Sequence, residues 1–86
     1  MQVTTPIRDP RTLGAIVQQA RMLKGLSQRD LANEIGVTQK WIWEMEQGKP
    51  GLFTTRLFRI LDEVDVGLTA TLNTEAAQNR GDESPS

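Results

Sequence analysis

Four side chains between residues 39 and 44 carry donors, acceptors and an aromatic ring that suit the edges of DNA bases: Gln39, Lys40, Trp43 and Glu44. Gln can make two hydrogen bonds to adenine, Lys can reach guanine O6 and N7, and Glu can accept from cytosine N4. The Trp ring can cover a thymine methyl group or stack against a sugar. On any exposed helix such residues are also ordinary solvated side chains, so the surrounding elements must decide between the two interpretations.

The composition gives little support to catalysis or metal binding. The 86 residues include no Cys and no His, which removes disulfides, thiol nucleophiles, imidazole bases and ordinary zinc sites. Glu44 and Glu46 are two residues apart, so on a helix they point to different sides, unlike paired catalytic carboxylates. We therefore expect no catalytic residue, no metal site, no cofactor and no enzymatic activity.

Charge is unevenly distributed along the chain. Residues 1–60 carry nine Lys or Arg against five Asp or Glu, while residues 61–86 carry one against six. The net charge of -1 thus hides a basic body, and a polyanionic partner would meet that local surface. No apolar run approaches the roughly 20 residues of a membrane span, and the first residues lack the apolar stretch of a signal peptide. We expect a cytoplasmic protein.

Capping residues followed by apolar residues at three- and four-residue steps predict four helices. The first helix runs from about residue 10 to 24, and the fourth begins near Thr54. The second and third are short and are joined by a tight turn after Gly36, which makes them a helix-turn-helix. The expected N-terminal caps are Asp9, Ser27 and Thr38, and the expected stops are Gly25, Gly36 and Gly48.

Each helix should bury an apolar stripe. In the second helix this is Leu31, Ala32 and Ile35, and in the fourth it is Leu57, Ile60, Leu61 and Val64. On a helical wheel of the third helix, Ile42 and Met45 point inward, whereas the outer side carries Lys40, Trp43, Glu44 and Gln47, flanked by Gln39. Because Trp41 and Trp43 point to nearly opposite sides, we expect Trp41 to pack in the scaffold and Trp43 to lie nearer DNA.

After Val64 the apolar period becomes alternating, which predicts one half-buried strand over residues 66–73. Its apolar side chains are Val66, Leu68, Ala70 and Leu72. An isolated strand leaves its backbone groups unpaired, so it needs a partner. Residues 2–7 are one candidate, but Pro6 cannot donate to a ladder, so we expect the same strand of a second copy and hence a homodimer.

The resulting fold class is all-α, with one short C-terminal strand that pairs across a dimer. We expect an N-terminal arm (residues 1–9), a helical domain (10–65), the dimerisation strand (66–73) and a disordered acidic tail (74–86).

The segment LSQRDLANEIGVTQKWIWEMEQGKP, residues 26–50, resembles the lambda-repressor-like, Xre-type helix-turn-helix family. The matching positions are Leu26, Gln28, Leu31, Ala32, Ile35, Gly36, Val37, Ile42, Glu46, Gly48 and Lys49. This resemblance spans residues 11–64 and implies a four- or five-helix domain. It also implies base contacts from Gln39, Lys40 and Glu44, as the wheel does, and a buried structural ion pair between Arg21 and Glu46.

Phosphate contacts would position the domain on double-stranded DNA without reading its sequence. We expect them from the first turn of the second helix and from the ends of the third, through Gln28, Thr38, Gln47 and Lys49.

The short domain followed by the strand VGLTATL and a polar tail is similar to HipB-type antitoxins. That resemblance implies a homodimer, a repressor of its own promoter, and a HipA-type kinase toxin as partner. Two alternatives stay open: a stand-alone phage-type or metabolic repressor, and a protein-interaction module that has kept the fold but lost DNA binding.

Overall fold

The computed structural model describes residues 1–49 and 51–74 of the chain. These residues form four helices and two strands, in the order β1 (Gln2–Ile7), α1 (Pro10–Leu23), α2 (Gln28–Ile35), α3 (Gln39–Glu46), α4 (Leu52–Glu63) and β2 (Leu68–Asn73). The predicted acidic tail lies outside the described residues, apart from Thr74.

The starts of α1, α2 and α3 are fixed by the predicted capping residues. Ser27 Oγ accepts from the backbone N–H of Asp30 at 3.0 Å, and the Asp30 carboxylate accepts from the backbone N–H of Ser27 at 2.9 Å, which confirms the capping box. Gly36 ends α2 with φ 77°, a left-handed conformation that favours glycine. The other two caps also accept from the third residue of their helix, Asp9 from Thr12 and Thr38 from Trp41.

The predicted strand finds its partner within the same chain. β1 and β2 pair antiparallel, with Val3 opposite Leu72 and Ile7 opposite Leu68. The prediction that β2 pairs with the same strand of a second copy is therefore wrong: its partner is β1, which lies in the predicted N-terminal arm (residues 1–9). In a two-stranded sheet every second residue of a strand points its N–H away from the partner, so Pro6 is no obstacle to pairing.

The sheet has one apolar face and one polar face. Val3, Thr5 and Ile7 alternate with Gln2, Thr4 and Pro6 along β1, and across from them β2 contributes Leu68, Ala70 and Leu72. This side packs on α1 and buries Ile7 to 6% exposure. One residue beyond the pair of Gln2 and Asn73, the backbone N–H of Thr74 donates to the carbonyl of Met1 at 2.9 Å and extends the pairing.

Helix α1 is the centre of the fold, since it contacts α3, α4 and both strands. It approaches α3 most closely at Gly14, which is buried. A Cβ built on Gly14 would overlap the carbonyl oxygen of Met45 and lie 2.7 Å from that of Glu46. Glycine is thus required by the close contact between these two helices.

The predicted apolar stripes are only partly buried. Ala32 is buried, as expected, but Ile35 at the end of α2 is 56% exposed. In α4, which begins at Leu52 and not at Thr54, only Leu61 of the predicted stripe is half-buried. The expectation that Ile60 and Val64 face the core is wrong, because the single chain covers only one side of the apolar surface of α4.

Candidate nucleic-acid interface

The α2-turn-α3 unit is built by small and apolar side chains where the two helices meet. Ala32 is 2% exposed and Ile42 is fully buried. Turn residue Val37 is half-buried, and its backbone N–H donates to the carbonyl of Ala32 at 3.0 Å. The predicted helix-turn-helix is therefore present, with α3 fixed on its inner side by Ile42.

The outer arc of α3 holds the predicted base-reading residues on one free surface. Gln39, Lys40 and Trp43 are exposed, and Glu44 is half-buried. Lys40, Trp43 and Glu44 leave the helix on the side away from Ile42, and Gln39 flanks them, as the wheel requires. The structure thus brings the four residues together at the beginning and middle of α3, where a major groove would receive them.

The two tryptophans do not divide between scaffold and surface as expected. Trp41 is 50% exposed and Trp43 is 45% exposed, so Trp41 is no better packed than its neighbour. The prediction that Trp41 is the scaffold residue is wrong for the isolated chain. Helix α3 is instead held by Ile42, and both indole rings present apolar surface to solvent.

Lys49 lies against the outer arc of α3, a contact that sequence reasoning missed. Its Nζ stands 5.3 Å from the ring centroid of Trp43, within the range of a cation–π interaction. The same Nζ lies 3.8 Å from Glu44 Oε2. Both contacts are solvent-exposed and weak, so they direct the Lys49 ammonium toward α3 without preventing it from reaching a phosphate.

Of the other predicted phosphate-contacting residues, two lie at the ends of α3 and one lies at the start of α2. Thr38 and Gln47 flank α3 as its N-terminal and C-terminal caps, and both are exposed. Gln28, in contrast, is half-buried, and its Nε2 donates to Glu46 Oε1 at 3.0 Å. An amide nitrogen carries two hydrogens, so one of them is left to donate to a phosphate.

Behind this surface, Arg21 of α1 and Glu46 of α3 form the predicted ion pair. Arg21 Nε donates to Glu46 Oε2 at 2.7 Å, and Nη2 donates to Oε1 at 3.1 Å. The carboxylate is fully buried and Arg21 is 10% exposed at the side chain. Arg21 Nη1 also donates to the carbonyl of Leu26 at 2.8 Å, so the pair ties α1 to α3 and to the segment that leads into α2.

This network lowers the pKa of Glu46. Burial by itself raises the pKa of the carboxyl group, but the hydrogen bonds from Arg21 and Gln28 and the positive charge of Arg21 outweigh it, and the net pKa lies below the ordinary 4.5. A depressed folded-state pKa means that the carboxylate stabilises the fold above the unfolded-state pKa. This stabilisation is lost as the pH falls through the folded-state value.

Acid should therefore weaken the fold through Glu46. We expect the free energy of unfolding of the wild type to exceed that of Glu46→Gln near neutral pH, and the difference to shrink as the pH falls below about 4.5. Urea titrations at several pH values measure the difference. Asp9, whose pKa is lowered by hydrogen bonds from Thr12, titrates in both proteins and cancels. A difference that stays constant between about pH 6 and pH 3 would contradict the prediction.

A known domain family matches the part of the chain that contains this geometry. The family model described as "Helix-turn-helix domain" matches residues 12–73, from the first turn of α1 to the end of β2. The chain belongs to this helix-turn-helix family. Comparisons with curated proteins and with solved structures find no match.

Membership in the helix-turn-helix family indicates a DNA-binding regulator. Its helix-turn-helix unit, α2 to α3, carries the exposed arc described above, which is consistent with the Xre-type resemblance of the sequence. Among the described residues, no helix has the length and hydropathy to span a bilayer.

Proposed function

We propose that this protein is a homodimeric, sequence-specific DNA-binding repressor, and that it is the antitoxin of an operon that encodes a HipA-type kinase toxin. The observation that carries the proposal is the free arc of Gln39, Lys40, Trp43 and Glu44 on a helix whose inner side is fixed by buried Ile42. Such an arc can enter a major groove without any rearrangement of the fold.

In this proposal α3 contacts base edges, and residues on either side of it contact the sugar–phosphate backbone of the DNA. Gln39 and Lys40 lie in the first turn of α3, where groove-entering helices make most base contacts. Lys49 and the first turn of α2 meet phosphates on either side. Two copies related by a two-fold axis would place their α3 helices in successive major grooves, about 34 Å apart, and so read an inverted repeat.

Base reading and phosphate contact are separable by mutation. We expect Lys40→Ala to weaken binding to the preferred site by about 1 to 3 kcal/mol and to relax preference at one base pair in each half-site. We expect Lys49→Ala to weaken binding to all sequences alike and to lower the salt slope by about one.

The test uses a site selected from random DNA by the wild type, a scrambled duplex, and fluorescence anisotropy at several salt concentrations. Arg59→Ala, which removes a positive charge from α4 instead of α3, is the matched control and should leave both affinities nearly unchanged. If Lys40→Ala lowered affinity for the selected and scrambled duplexes equally, its base-reading role would be wrong. If the wild type bound neither duplex, the protein-interaction module would replace the repressor as the better interpretation.

The antitoxin assignment is supported by the size of the domain and by the strand that follows α4, in which the sequence resembles HipB-type proteins. Purification of the native complex followed by mass spectrometry tests it. We expect a HipA-type kinase in stoichiometric amount. A protein that represses transcription from the selected site but purifies without a kinase would instead be a stand-alone repressor.

A further inference from the structure

Helix α4 carries an exposed apolar stripe. Phe53, Leu57 and Ile60 of this helix are 78%, 38% and 59% exposed, and Val64, its C-terminal cap, is 60% exposed. Their spacing of four, three and four residues places them within an arc of about 60° on the helix surface. We refer to these four residues as the α4 stripe.

The stripe is distinct from the side of α4 that packs on its own chain. Thr54, Phe58 and Leu61 are half-buried and form the inward side, and α4 contacts α1. No residue of α4 is fully buried. Within the described part of the chain, nothing covers the outer apolar residues, although they fall in the same repeat that normally marks a buried helix face.

Two opposite charges lie on one side of the stripe. Arg56 and Glu63 are seven residues apart, so they point in directions only about 20° different and stand two turns apart along the helix. Neither forms an ion pair within residues 1–49 and 51–74, and both are exposed. The edge of the stripe therefore presents a positive charge near one end and a negative charge near the other.

We infer that the α4 stripe is the surface that binds a second copy of this chain, with the two α4 helices antiparallel. A two-fold axis perpendicular to the helices keeps equivalent edges on the same side and reverses their direction. Arg56 of each copy then faces Glu63 of the other, which gives two equivalent ion pairs beside the apolar contact. A parallel arrangement would instead place the charged edges of the two copies on opposite sides of the contact, where these ion pairs cannot form.

The size of the stripe suits a dimer of this kind. Its four side chains expose on the order of 400 Å² of mainly apolar surface. A standard interface buries about 800 Å² on each partner, of which somewhat more than half is apolar. The stripe supplies that apolar part, and the flanking charged side chains supply the polar rim. A second copy is favoured over an unrelated protein because the charge pattern is complementary to itself.

This inference rests on the homodimer of the proposed function and assigns it to α4. Since β2 is already paired with β1, the sheet no longer requires a second copy to satisfy β2. The stripe is an exposed apolar surface that a second copy can cover. Because it lies on α4, a dimer formed through it leaves the outer arc of α3 free for DNA.

Charge-reversal variants of the whole chain, measured by sedimentation equilibrium, test this antiparallel arrangement. We expect Arg56→Glu and Glu63→Arg each to raise the dimer dissociation constant at least tenfold, because each creates two pairs of like charges. The double variant Arg56→Glu with Glu63→Arg should return the constant to within about threefold of the wild type, since the pairs re-form with exchanged signs. Ile60→Asp, which places a carboxylate in the stripe, should give a monomer.

The matched control reverses a charge on the same helix but on the side opposite the stripe: Asp62→Arg. This change should leave the dissociation constant unchanged, and circular dichroism should show native helix content in every variant. The inference is overturned if the wild type is a monomer, if the single reversals have no effect, or if the double variant is no better than the singles. A dimer that resists these changes but is lost when residues 68–73 are removed would point to the sheet edge instead.

DNA binding is measured on the same samples, so the two proposals can fail separately. If the wild type dimerises through α4 but binds no selected duplex, the repressor is wrong and the interface stands. If the wild type binds the duplex as a dimer that the α4 variants do not disturb, the repressor stands and the interface is wrong.

Discussion

Glu46→Ala should lower the free energy of unfolding by about 3 to 5 kcal/mol. The substitution removes the carboxylate but leaves the Arg21 guanidinium 10% exposed and without the partner of its Nε and Nη2 donors. An unpaired buried charge retains its full desolvation penalty, which explains why breaking such a pair costs more than the pair contributes. In a domain of this size the loss leaves little stability, so a loss of DNA binding in this variant would be a folding effect.

The double substitution Arg21→Met with Glu46→Leu tests whether this loss of stability comes from the unpaired buried charge. It replaces both charges by apolar volume, and it should recover much of the lost stability because no desolvated ion remains. Urea unfolding of the wild type, the two single variants and the double variant gives the coupling energy. If the two single losses simply added in the double variant, the stability would not depend on the contact between Arg21 and Glu46.

Gly14→Ala should have the next largest effect, about 3 kcal/mol of destabilisation. An alanine side chain there would meet the backbone carbonyls of Met45 and Glu46, which unlike a flexible side chain cannot turn aside. Helices α1 and α3 must therefore move apart. The cost of this movement exceeds the stability that alanine ordinarily adds when it replaces a glycine inside a helix. Because α3 carries the outer arc that we propose to read DNA, we also expect weaker binding to the selected DNA site in the protein that remains folded.

Gly67→Ala is the matched control for this change. No atom lies within 4 Å of a Cβ built on Gly67, and its φ is not in the left-handed region, so we expect little change in stability. Chemical denaturation of both variants against the wild type measures the contrast. Equal stability of Gly14→Ala and the wild type would show that the contact between α1 and α3 is looser than the structure has it.

The features that the sequence predicted best depend on residues that lie only a few positions apart in the chain. The capping box of Ser27 and Asp30 needs only a hydroxyl and a carboxylate three residues apart, and the stop at Gly36 needs only a residue that tolerates positive φ. The outer arc of α3 followed from helical periodicity once Ile42 was placed inside. For Arg21 and Glu46, the family resemblance supplied a pairing that spans 25 residues and that local patterns do not show.

The features that sequence failed to predict depend on surfaces that meet only in the folded chain. The rule about Pro6 holds for a strand with neighbours on both sides, and the sequence does not say how many neighbours β1 has. Periodicity marked Ile60 and Val64 as buried but cannot tell whether the cover comes from the same chain or from another. For Gly14 the sequence does carry a signal, since a glycine inside a helix lowers stability and so indicates a close approach of another part of the chain.

The pairing of β1 with β2 also imposes an order on folding during synthesis. The register joins Gln2 to Asn73, so the first strand has no partner until the ribosome has made all four helices and β2 after them. The contact between α1 and α3 closes a much shorter stretch of chain and becomes available earlier. The helix-turn-helix is therefore assembled on a nascent chain whose opening residues are still unpaired, and the sheet is added last.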